Sequence, residues 1–200
     1  VPVLPSPRPD TDLCPRPRAT HAIWCAWLAG LLLAMLAVFP ARAEGPEFTE
    51  FKVSRTDEGV LLDFALRFDL PRNVEDALQK GVPLYFVAEA EVFRSRWYWR
   101  DRQVARATRV WRLAFQPLTR KYRVTFGGLN QSYDTLADAL ASVRRVADWK
   151  IVENGQIEEG ERHYVEFSYR LDTTLLPRPM QIGIGGQPEW TLVVERDQRF

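Results

Sequence analysis

Between Gly81 and Gly128 the chain reads GVPLYFVAEAEVFRSRWYWRDRQVARATRVWRLAFQPLTRKYRVTFGG, and an apolar alternation runs through it three times. From Leu84 to Val92, the residues Leu84, Phe86, Ala88, Ala90 and Val92 point one way and Glu89 and Glu91 the other, the period of a half-buried strand. Ala107 to Phe115 repeats the scheme, with Trp111, Leu113 and Phe115 inward and Thr108, Val110 and Arg112 outward. Pro117 to Arg120 reads as a turn, and Lys121 to Phe126 as a third strand closed by Gly127 and Gly128. Antiparallel pairing of the first two strands would set outward carboxylates against outward arginines. Such pairs are worth a few tenths to ~1 kcal/mol each, so they fix register more than they stabilise.

The flanking sequence continues in the same vein. Phe48 to Val53 predicts an opening strand, Asp57 to Gly59 a turn, and Val60 to Phe68 a second strand with Leu62, Phe64, Leu66 and Phe68 on one face. A short helix follows, with Asn73 as N-cap, Val74, Ala77 and Leu78 on its apolar face and Gly81 just past its end. Asp134 to Val146 carries the clearest helical pattern: Thr135 and Asp138 have capping-box spacing, Leu136, Leu140, Val143 and Val146 form one stripe, and Arg144 and Arg145 complement the C-terminal dipole. Trp149 to Val152, His163 to Leu171 and Trp190 to Glu195 are further strands, with a short one at Met180 to Ile184. Seven to nine strands joined by short turns predict a mainly β fold, an antiparallel, Ig-like β-sandwich with two short helices. The alternative is an α+β arrangement with one antiparallel sheet covered by the helices.

The 200 residues are 46% hydrophobic and 26% charged, which excludes a disordered chain and suits one domain plus an appendage. The appendage is residues 1–43. Arg8, Arg16 and Arg18 precede an apolar run from Ile23 to Phe39, and Ala41 and Ala43 place an A-x-A site before Glu44, the layout of a secretory signal peptide. An uncleaved signal anchor is the alternative. Either way, residues 44–200 are expected to form a single β-rich periplasmic domain. Both cysteines, Cys14 and Cys25, precede Ala43, so that domain must be held by its core without disulfides.

Residues 94–123 hold ten Arg and Lys side chains against one acid, Asp101, and the remainder of the domain is correspondingly acidic. The sharpest feature lies there. Arg94, Arg96, Trp97, Tyr98, Trp99, Arg100 and Arg102 gather guanidiniums for bidentate contact and aromatics for contact area, a pattern suited to an envelope or membrane protein with an acidic surface or to anionic lipid. The plainer reading is that one Trp plugs the end of the sandwich while the arginines pair with the acidic remainder. Nucleic acid matches the charge but not an exported location.

Catalytic signals are sparse. His163 is the sole histidine after Ala43 and reads as a surface or satisfied strand histidine; with no cysteine beside it, the usual zinc and copper sites lack ligands, and no cofactor is expected. No serine sits in a nucleophile elbow, and the Gly127-Gly128 and Gly183–Gly186 glycines lack the spacing of a phosphate loop. Glu89 and Glu91, roughly 6.5 to 7 Å apart along one strand face, could serve an envelope hydrolase, but neighbouring arginines would keep both ionised.

The order GVPLYFVAEAEVFRSRWYWRD, WRLAFQPLTRKYRV, a helix of ADAL type, and LDTTLLPRPMQIG before Trp190-Thr191-Leu192 resembles the DUF4390 family, proteobacterial envelope proteins also labelled proline-rich signal peptide proteins. The resemblance spans the domain and implies an envelope location in a Gram-negative cell. Members often lie beside a membrane sensor kinase, which implies a signalling link. It brings no catalytic residues with it. The expectation is therefore a non-enzymatic binding or regulatory module.

Overall fold

The computed structural model describes residues 45–200 apart from 97, 99, 159, 177 and 185–186. The expected signal peptide at 1–43 lies outside them. Among the described residues, β1 (Glu47–Thr56), β2 (Gly59–Arg67) and β7 (Arg145–Glu153) form a three-stranded sheet in that order. The strands β3 (Leu84–Arg94), β4 (Arg102–Gln116), β5 (Lys121–Phe126), β6 (Leu129–Tyr133), β8 (His163–Leu171) and β9 (Val193–Arg199) form a six-stranded sheet ordered β6-β5-β4-β3-β8-β9. Both are antiparallel and neither closes into a barrel, so the fold is a β-sandwich. Helix α1 (Arg72–Gln79) lies against β4, and α2 (Leu136–Arg144) against β5, β6 and β2.

The alternation seen in the sequence is the alternation of the core. Leu84, Phe86, Ala88, Ala90 and Val92 of β3 are buried, as are Trp111 and Leu113 of β4, and all face the smaller sheet. There Phe64 of β2 meets Phe167 of β8 at 4.8 Å between ring centres, and Phe48 and Phe51 of β1 pack edge-on against the same Phe167. Tyr169 lies fully buried in this layer, and its hydroxyl donates to the Val143 carbonyl at 3.0 Å. One bond thereby satisfies a buried phenol and one of the last carbonyls of α2, neither of which has a helical partner.

Several boundaries differ from the sequence reading. Asn73 does not cap α1, which begins at Arg72 after Pro71; its side-chain oxygen accepts from the Val74 amide inside the first turn. The far end is as expected: Gly81 takes φ of 93°, and the Gly81 and Val82 amides donate to Leu78 and Ala77, a Schellman closure. Helix α2 stops at Arg144, and Arg145 and Val146 belong to β7, because strand pairing with β2 resumes at Ala65 and Phe64. Its Thr135 cap is present, the hydroxyl accepting from the Asp138 amide at 3.1 Å. Met180 to Ile184 is not a strand but part of α3 (Arg178–Ile184): Pro179 is tolerated in a first helical turn, and Gln181 ties the helix to the Thr174 and Leu176 carbonyls. The last strand starts at Val193, since Trp190 is buried in a 3-10 turn.

Candidate functional site

Strands β3 and β4 run longer than their apolar alternation, which shortens the connection between them to residues 95–101. Asp101, the lone acid of the basic stretch, holds this connection. Its carboxylate accepts from the Arg96 amide and from the Tyr164 hydroxyl of β8, each at 2.9 Å, and these two donors hold the carboxyl below its ordinary range. Burial, reinforced by the bond to Asp101 and the charges of Asp101, Glu166 and Asp197, pushes the Tyr164 phenol up to about 12. The Ser95 amide adds a bond to the Arg162 carbonyl at 2.9 Å. The pinned segment leaves Tyr98 70% exposed, with Arg100 and Arg102 exposed and Arg96 half-buried. Among the described residues no carboxylate pairs with the guanidinium of Arg96, Arg100 or Arg102. Trp97 and Trp99 lie outside the described residues.

Arg94 behaves differently from the other candidates. It continues the inward-facing row of β3 beside His163, is largely covered, and is neutralised by Glu158 from the β7–β8 connection. Together with Arg102, Gln156 and His163 it lines a cavity of about 320 Å³ at the end of the sandwich. His163 is neither on the surface nor fully satisfied. It is 2% exposed, its Nδ1 lies 3.1 Å from the Glu161 carbonyl, and its Nε2 has no partner among the described residues. Its position at the first inward register of β8 beside Arg94 is visible only once the sheets are paired.

The carboxylates Glu89 and Glu91 lie on the outer face, as their alternation predicts. Burial pushes the Glu89 carboxyl up, but hydrogen bonds and charge from Arg170 and Arg106 outweigh it and leave the carboxyl below its ordinary value. Glu89 is thus held ionised, with no proton to give as a general acid at neutral pH. Beside it, Glu91, Glu166 and Asp197 stand directly opposite one another across β3, β8 and β9 around a depression of about 330 Å³. Burial and the charges of Asp197 and Glu91 push the Glu166 carboxyl up. No group of three or more His, Cys, Asp or Glu among the described residues is placed to hold a metal ion. No helix among them is long and apolar enough to cross a membrane.

Fold and site together define an antiparallel β-sandwich module with a basic connection pinned by Asp101 at one end and a cluster of carboxylates on the outer face of its larger sheet. The family model described as a domain of unknown function, DUF4390, matches residues 43–199, and the chain belongs to that family. No curated protein and no solved structure matches the chain.

Proposed function

We propose that the domain is a non-enzymatic binding or regulatory module of the cell envelope, exported to the periplasm behind residues 1–43, and that the β3–β4 connection is its contact face. The observation that carries this reading is the Asp101 anchor: a seven-residue connection tied down at Ser95, Arg96 and Asp101 presents Tyr98 and the guanidiniums of Arg96 and Arg100, with Arg102 beside them at the start of β4, and no described carboxylate neutralises these three. Holding Ser95, Arg96 and Asp101 in advance lowers the entropy lost on docking, and arginines beside aromatics are the residue types that dominate protein interfaces. The matching partner is an acidic protein surface in the envelope, and the extracytoplasmic part of a membrane sensor has the required location.

A photo-reactive phenylalanine analogue at Tyr98 of the full chain, expressed in its own envelope, tests the reading. A discrete protein adduct is expected, and it should vanish when Arg96, Arg100 and Arg102 are all changed to Glu. An adduct of unchanged yield in that triple variant would remove the contact face from consideration. Salt-sensitive binding to phosphatidylglycerol vesicles with no protein adduct would instead assign the same guanidiniums to anionic lipid.

A further inference from the structure

Arg109 occupies a position that the fold would ordinarily give to an apolar side chain. It shares the inward row of β4 with Ala107, Trp111 and Leu113 and lies between the two sheets. Its guanidinium carbon is 5.2 Å from the centre of the Phe126 ring of β5 and 5.1 Å from that of Trp149 of β7. Those two rings hold the cation but accept no conventional hydrogen bond, and among the described residues Arg109 has neither a hydrogen bond nor an ion pair. Burial lowers its pKa, yet an arginine stays charged at any physiological pH. The two rings offset part of the cost of half-burying this cation, and its N–H donors are left for an acceptor from outside the described residues.

The space beside it fits that role. A cavity of about 270 Å³ lies between the inner face of β4, β5 and β6 and the junction of α2 with β7. Arg109, Trp111, Phe126, Leu129, Gln131 and Val146 line it, and no carboxylate does. Leu129 is 71% exposed at the edge on β6, and Arg145, the second lining arginine, is exposed and paired with Glu50. The walls therefore combine apolar side chains with the polar Gln131 and Ser142 and one unneutralised guanidinium. That chemistry favours a head-and-tail ligand over a bare inorganic anion.

We propose that this cavity binds a small anionic amphiphile, with its carboxylate taken by the N–H edge of Arg109 and its apolar tail laid against Trp111, Val146 and Leu129. The site shares no residue with the β3–β4 contact face and stands or falls independently of it. Calorimetric titration of the full chain with octanoate, octylamine and octanol, which share one tail and differ in head group, tests it. Octanoate should bind saturably and at least tenfold more tightly than either analogue. Arg109→Met should lose at least tenfold in octanoate affinity without a lower melting temperature, and Arg109→Lys, which keeps charge but not the fork, should be weakened as well. In the unaltered protein the Arg109 Nε–H resonance should shift on adding octanoate and not on adding octylamine, a readout that does not depend on any variant folding. Octanol binding as tightly as octanoate, unchanged affinity in Arg109→Met, or an Arg109 resonance unmoved by octanoate would each overturn the assignment.

Discussion

Removing the Tyr169 hydroxyl would leave the Val143 carbonyl facing the core without a donor, while every ring contact of the side chain would remain. Tyr169→Phe is therefore expected to cost about 1–2 kcal/mol, measured by urea unfolding, with the loss concentrated at the end of α2. Glu166 makes the opposite kind of prediction. Its folded-state pKa lies above the ordinary 4.5, so the fold favours its protonated form. That contribution is fully present below the unfolded value and is lost as pH rises through the folded one. Glu166→Gln should then stabilise the protein at pH 7 by a few tenths of a kcal/mol, the exposed side chain being well screened, and the gain should shrink below pH 4.5 and in about 1 M salt. At this scale the sequence already showed which way Glu89, Glu91 and the inward residues of β3 point, because alternation alone decides it. It did not show that Glu91, Glu166 and Asp197 line up, or that Arg109 lacks a partner, since both depend on which strands become neighbours.

The β3–β4 connection shows the same limit at the level of elements. Alternation of apolar residues ends near Ala107, so the sequence assigns the polar residues before it to a loop, whereas pairing carries β4 back to Arg102 opposite Arg94. Strand β6, LNQSY, has no alternation to detect and exists because its backbone pairs with β5 from Phe126 to Tyr122. The anchor of the connection has a wide pH window. The lowered carboxyl of Asp101 keeps its contribution above the ordinary 3.8 and loses it as pH falls through the folded value beneath, and the Tyr164 phenol loses its own as pH rises through about 12. Asp101→Asn should bring the Tyr164 titration part of the way back toward 10, read from ultraviolet absorbance, and should speed hydrogen exchange at the Arg96 amide. A Tyr164 midpoint unmoved by the substitution would show that burial and the charges of Glu166 and Asp197 set it without Asp101.

Over the whole molecule, the sandwich and its two expected helices were legible because strand number, turn spacing and the α2 stripe all pointed to one architecture. The inequality of the sheets was not, because periodicity does not say how strands are shared between layers. Three strands face six: β1 and β2 meet β8 and β7 meets β3 and β4, while α2 takes over above β5 and β6. The Arg109 cavity sits where strand cover gives way to helix cover. Strands β3, β4 and β8 of the larger sheet are thus covered by paired strands, and β5 and β6 by a nine-residue helix. Such a roof can lift without unzipping a sheet, so α2 should behave as a separate low-stability unit, its amides exchanging well ahead of those in β3. Release of α2 ahead of the strands would widen the Arg109 cavity while leaving the β3–β4 connection in place.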